Sequence, residues 1–112
     1  MEDRIETGWL FDFYGPLLTQ RQRELLALYC DEDLTLSEIA AQEGISRQGV
    51  YDAVRRGAHT LSSYERQLGL LARYRRLTEG LRESLEALEG AQDEQAQRAV
   101  QILRRLLSEE EG

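Results

Sequence analysis

The sequence predicts an all-α protein: a helix-turn-helix domain, then a long C-terminal helix and a short final one. Three observations carry that prediction. The chain has one Pro in 112 residues and is rich in Leu, Ala, Glu, Gln and Arg, which favour helices. No run of β-branched residues alternates at period two for long enough to form a strand. Two Thr-x-x-Glu/Gln boxes, Thr19 with Gln22 and Thr35 with Glu38, stand ahead of apolar stretches, where a capping box opens a helix.

The first helix covers about residues 3–14, with Ile5, Trp9 and Phe13 at helical spacing beside Leu10 and Tyr14. Gly15-Pro16 breaks it. The aromatic group Trp9, Phe11, Phe13 and Tyr14 reads as core or inter-helix packing, because no basic residues are interleaved to make it a base-stacking platform. The second helix starts after Thr19 and runs through Leu25, Leu26 and Leu28 to about Cys30. Asp31, Glu32 and Asp33 form a solvated connection, without the alternating oxygen ligands and turn glycine of a calcium loop. Thr35 opens a third helix that ends at Gly44, a residue suited to a left-handed C-terminal position. Ile45 is expected to tuck under the turn, and Ser46 caps a fourth helix starting at Arg47.

From about His59 onward the spacing predicts one long helix. Leu61, Tyr64, Leu68, Leu71, Tyr74, Leu77, Leu81, Leu85 and Leu88 follow in steps of three or four, close to a coiled-coil repeat. A helix of about 30 residues is about 45 Å long, more than a domain of about 60 residues can cover. Pairing with a second chain as a homodimer is therefore expected, with folding back as a hairpin the other reading. Gly90 and Asp93 mark a turn, and Ala96, Val100, Leu103 and Leu107 form a last stripe. The tail Glu109, Glu110, Glu111 is expected to fray into solvent. The division expected is a domain at residues 1–60, with its helix-turn-helix at 36–58, and a helical extension at 61–112.

Composition narrows the function. Fourteen Arg and no Lys face 21 acids, for a net charge of −7. Such a balance opposes strong nonspecific binding to nucleic acid, which phosphate neutralisation drives. The mean hydropathy of −0.55 and the absence of a long apolar run or signal-peptide pattern exclude a membrane protein. A lone Cys30 cannot close an internal disulfide, so the cytoplasm is the expected compartment. With one Cys and one His, no metal site or cofactor is expected. Glycine-rich phosphate loops and nucleophile–base sets are absent, so no enzymatic activity is expected.

The most specific constellation runs from Leu36 to Val50. Ala40 is small where two helices must approach, Gly44 follows four positions later for the turn, and Ile39, Ile45 and Val50 lock one helix across the other. This is the pattern of a helix-turn-helix. With Val50 facing the core, Ala53, Val54 and Gly57 lie near it at 100° per residue. The opposite face carries Gln48, Tyr51, Asp52, Arg55 and His59, with Arg47 at its edge. Arg and Gln read guanine and adenine edges in a major groove, which makes Arg47, Gln48 and Arg55 the natural reading side chains. Asp52 would meet phosphates there. Residues 35–66 hold four Arg and four acids, and the first 34 residues three Arg and eight acids. A protein or structured-RNA partner is favoured over DNA. Gly49 and Gly57 each cost about 1 kcal/mol relative to Ala and leave this helix loosely specified. Arg73, Arg75 and Arg76 form the one dense basic cluster, read as a solvated face.

Leu10-Phe11-Asp12-Phe13-Tyr14, Leu17-Leu18-Thr19, Ser46-Arg47-Gln48-Gly49-Val50-Tyr51-Asp52 and Tyr64-Glu65 together resemble the YlxM family of helix-turn-helix proteins. The resemblance covers about residues 10–71 and finds no motif beyond about residue 75. It implies a helix-turn-helix similar to region 4 of bacterial sigma factors, in a small bacterial protein encoded beside the protein subunit or receptor of the signal recognition particle. The function it implies is non-enzymatic assistance or regulation of co-translational targeting, by binding the particle protein or its RNA. Arg47, Gln48, Tyr51, Asp52 and Arg55 are the expected contact. A DNA-binding transcriptional regulator is the alternative. Gly49 departs from the family's usual Ala, while Asp52 matches its pattern.

Overall fold

The computed structural model describes residues 3–111, which form six α-helices with no strand. They fall into two compact units, one running to Leu71 and one starting at Ala72. No helix among the described residues is long and apolar enough to cross a membrane.

In the first unit, α1 (Arg4–Tyr14) is capped by Asp3, whose carboxylate accepts the Ile5 N–H at 3.0 Å. A 3-10 turn (Gly15–Leu17) built on Pro16 follows. Then come α2 (Gln20–Cys30), α3 (Leu36–Glu43) and α4 (Arg47–Leu68). Both capping boxes form: Thr19 with Gln22 and Thr35 with Glu38 each exchange a side-chain and a backbone bond. The three earlier helices all pack on α4. The core between them holds Leu10, Phe11, Tyr14, Leu25, Leu26, Tyr29, Ile39, Val50, Val54, Ala58 and Leu61.

Helix α1 buries only part of the apolar set expected to pack. Leu10, Phe11 and Tyr14 are inside, whereas Ile5 is 74% and Trp9 40% exposed. The two apolar sets share the helix at different angles, and only one can meet α2 and α4. Arg4 fixes the choice. Its guanidinium donates to the Tyr29 and Leu34 carbonyls and to Asp33, and lies 3.8 Å from the Tyr29 ring centre.

The expected start of a long helix near His59 is also corrected. Nothing there interrupts hydrogen bonding, so α4 continues to Leu68 and ends at Gly69, which is left-handed at φ 64°. The next helix, α5 (Leu70–Leu88), begins at once. Helices of 22 and 19 residues therefore replace the single span, and the leucine seam is broken with Leu68 exposed. Tyr14 and Glu65 fasten the junction. The Tyr14 hydroxyl donates to Glu65 at 2.6 Å and accepts the Leu70 N–H at 3.0 Å, while Glu65 also accepts the Leu71 N–H at 3.0 Å. These bonds satisfy donors that a helix start leaves open.

The second unit holds the rest of α5 and α6 (Glu94–Glu111), joined through Gly90 at φ 91°. Asp93 caps α6 by accepting the Ala96 N–H at 2.8 Å. Ala96, Val100 and Leu107 are buried, as is Thr78. Arg82 pairs with Glu111, and Arg104 approaches Glu89 at 3.4 Å, so the two helices run antiparallel. The acidic tail consequently stays helical through Glu111 instead of fraying.

Candidate functional site

The site is built by α3, the turn at residues 44–46, and the first half of α4. Gly44 is left-handed at φ 69°, and the Ile45 N–H reaches back to the Ala40 carbonyl at 3.2 Å, closing the end of α3 as a Schellman turn does. Ile45 remains 38% exposed, so the turn is held by these backbone bonds more than by burial of its side chain. Ser46 accepts the Gly49 N–H at 2.9 Å and starts α4. Ile39, Val50 and Val54 are fully buried, and they fix the rotation of α4.

That rotation is set further by Gly57. A Cβ there would stand 2.7 Å from Leu26 Cδ1, well inside the contact distance of carbon atoms. The glycine therefore serves close packing of α2 on α4. This changes the reading of Gly57 as a source of looseness.

Seated this way, α4 exposes Arg47, Gln48 and Arg55, with Tyr51 and Asp52 half-buried beside them. All five residues expected at the contact thus share the solvent side of one helix. Gln48 donates to the Asp52 carboxylate at 3.0 Å, so the acid is partly shielded by its neighbour. Arg56 and His59, both exposed, extend the face. With Gln22, Asp52, Arg55 and Thr60 they line an open groove of about 580 Å³. Gln22 was not foreseen there, since it comes from the start of α2, and Arg56 lies a further 100° around the helix from Arg55.

The segment's charges are distributed unevenly about this face. Glu38 is bound into the Thr35 cap, Glu43 accepts Arg21 at 2.6 Å, and Glu65 is held at the Tyr14 junction. Among the described residues Arg47, Arg55 and Arg56 make no ion pair. Three of the four acids thus have partners away from the face, Asp52 being the exception, while these guanidinium groups make no ion pair. A face of this kind attracts phosphates. Cys30 lies off it, its thiol pushed up to about 11 by burial and by Asp31, which is the wrong direction for a nucleophile.

An all-helical unit with a glycine turn between crossed helices, and a polar, arginine-bearing second helix, defines a helix-turn-helix protein. The family comparison agrees. The chain belongs to the UPF0122 family, described as "Putative helix-turn-helix protein, YlxM / p13 like", whose profile matches residues 1–102. The match therefore extends well past residue 75, into α6. The chain is 46% identical to the UPF0122 protein STH1464 of Symbiobacterium thermophilum, over 93% of this chain and 97% of that one. It is 37% identical to a UPF0122 protein of Desulforamulus reducens, over 96% and 95% of the two chains. With UPF0122 protein GK1195 of Geobacillus kaustophilus it shares 42% identity over 86% and 90%.

Proposed function

We propose that this chain is a non-enzymatic accessory protein of the signal recognition particle pathway, acting in the cytoplasm and binding the particle's RNA through the exposed face of α4. The pathway rests on the family resemblance. The ligand class rests on one observation, the three unpaired arginines Arg47, Arg55 and Arg56 on a face whose one acid, Asp52, accepts from Gln48, while Glu38, Glu43 and Glu65 have partners elsewhere. Phosphates of a structured RNA suit such a face, with Gln48, Tyr51 and Asp52 available for hydrogen bonds and stacking. Duplex DNA is the second reading. It is favoured by the position of Arg47 and Gln48 at the start of the second helix, the part of a helix-turn-helix that contacts base edges.

Fluorescence anisotropy across a salt series, with particle RNA and with duplex DNA, separates the two. RNA binding that is lost in an Arg47→Ala, Arg55→Ala, Arg56→Ala variant supports the first reading. The salt slope should fall by about two to three, near 0.7–0.9 per phosphate contact removed. Sharper binding to duplex DNA than to particle RNA would support the second. A parallel pull-down asks whether the particle protein is the partner instead. If neither particle RNA nor particle protein is bound at micromolar concentration, the pathway assignment is wrong.

A further inference from the structure

A second surface lies on α1. Ile5, Gly8, Trp9 and Asp12 follow at i, i+3, i+4 and i+7, which puts them on one helical stripe, separate from the Leu10, Phe11 and Tyr14 face that enters the core. With Arg4, Cys30, Asp31 and Asp33 this stripe lines a groove of about 300 Å³.

Three features make the groove unlike ordinary surface. Ile5 and Trp9 are large apolar side chains left 74% and 40% exposed. Gly8 sits between them in mid-helix, where glycine costs about 1 kcal/mol relative to alanine. A Cβ there would meet nothing within 4 Å. The fold itself gives no reason for this glycine, whereas a backbone or side chain lying close over the helix would. The rim is net acidic, with Asp12, Asp31 and Asp33 against Arg4. Among the described residues, the carboxylates of Asp12 and Asp31 have no hydrogen bond or ion pair. Burial, and then the charge of Asp31, hold the Asp12 carboxyl above the ordinary carboxylate range. The one cation on the rim, Arg4, is paired with Asp33, which leaves two acids in excess.

The complementary surface is on this same chain. On α5, Leu70, Arg73 and Leu77 lie at i, i+3 and i+7, with Arg76 beside them. Leu70 is 43% and Leu77 54% exposed. Arg73 and Arg76 are exposed and make no ion pair among the described residues. An apolar stripe edged by arginine matches an apolar groove edged by aspartate.

We propose that the α1 groove receives the Leu70–Leu77 face of α5 from a second copy of the chain, with Leu70 and Leu77 against Ile5 and Trp9, and Arg73 and Arg76 on Asp12 and Asp31. In a two-fold pair each copy offers one groove and one helix, so the contact forms twice. The homodimer expected from the leucine spacing is thereby given a different interface, whose groove shares no lining residue with the groove on α4.

The symmetry supplies the test. Sedimentation equilibrium of the full chain should show a reversible dimer. An Asp12→Arg, Asp31→Arg variant and an Arg73→Glu, Arg76→Glu variant each place like charges across both contacts, and should dimerise at least about a hundredfold more weakly. Mixed in equal amounts, the two variants restore opposite charge at both contacts, so a heterodimer of near wild-type affinity is expected. Gly8→Leu, at a position open to solvent, should keep the helical circular dichroism and lose the dimer. A wild-type chain that stays monomeric throughout the micromolar range overturns the proposal. So does a dimer that both charge variants and Gly8→Leu leave unchanged, or a mixture that fails to reassociate.

Discussion

Replacing Gly57 by alanine sets two opposing effects against each other. In an exposed helix interior the change stabilises by about 1 kcal/mol. At Gly57 the added methyl would lie 2.7 Å from Leu26 Cδ1 and 3.3 Å from Leu26 Cγ, whereas carbon atoms rest about 3.5–4.0 Å apart. Leu26 is fully buried, so moving it compresses a filled core, at a cost of about 1–3 kcal/mol. The expected net result is a loss of about 1 kcal/mol, and at most about 2 kcal/mol. Urea unfolding followed by circular dichroism measures it, at a protein concentration low enough that association does not contribute. Gly8→Ala is the control, since its methyl would meet nothing within 4 Å. It should stabilise by up to about 1 kcal/mol. The decisive comparison uses Leu26→Ala, which alone costs about 2–5 kcal/mol. In that background the methyl has room, so Gly57→Ala should become stabilising. Were Gly57→Ala to stabilise the wild-type chain as Gly8→Ala does, the close approach of α2 and α4 would be refuted.

Three further tests concern single side chains. Tyr14→Phe leaves the Leu70 N–H without its acceptor and removes one of the donors to Glu65, and should cost about 1–3 kcal/mol in the same urea assay. Burial and the Glu65 bond raise the Tyr14 pKa above its ordinary value near 10, so its contribution is complete below that pH. It is lost as pH rises through the folded value, and the gap between wild type and Tyr14→Phe should narrow from about pH 10 upward. For Cys30, a thiol pushed up to about 11 carries about a hundredfold less thiolate near pH 8 than one at 9.0. Iodoacetamide should label it correspondingly slowly in the native state and at the ordinary rate in urea. The Glu38 carboxylate is held below the ordinary range by its bonds to Thr35. Its share of stability is present above about pH 4.5 and lost as pH falls through the lowered value. Glu38→Gln, which keeps a box acceptor, should reduce that acid sensitivity in thermal melts.

Local chemistry was legible in the sequence; contacts distant along the chain were not. Thr19 with Gln22, Thr35 with Glu38, Gly44 and Ser46 each act within a few residues, and the bounds of α2, α3 and the start of α4 follow from them. The rotation of α4 followed as well, because Val50 and Val54 repeat at four. Periodicity could not choose between the two apolar sides of α1, since Ile5 and Trp9 are spaced as well for a helix as Leu10 and Tyr14. The choice is made by Arg4 reaching Tyr29, Asp33 and Leu34, some 25–30 residues away. Gly57 looked like a weakness because Leu26 is far off in sequence. The placing of charge about α4 is set at long range as well. Glu43 and Glu65 count against the arginines in a sum, yet their partners Arg21 and Tyr14 lie on α2 and α1.

On the two proposals above, the net charge of −7 divides into surfaces with different tasks, and the division can be tested. Arg47, Arg55 and Arg56 leave a cationic face on α4, while Asp12 and Asp31 leave an anionic groove on α1. Salt weakens both kinds of contact, because the screening length is only about 8 Å at physiological ionic strength, so salt alone cannot tell them apart. Charge reversal can. Asp12→Arg with Asp31→Arg should abolish dimerisation and leave RNA affinity per chain equal to or above that of wild type, since it only adds positive charge. Arg55→Glu with Arg56→Glu should do the reverse, removing RNA binding while the sedimentation behaviour stays dimeric. Loss of both properties in either variant would mean that ligand and second copy compete for one surface, and the two-surface reading would then be wrong.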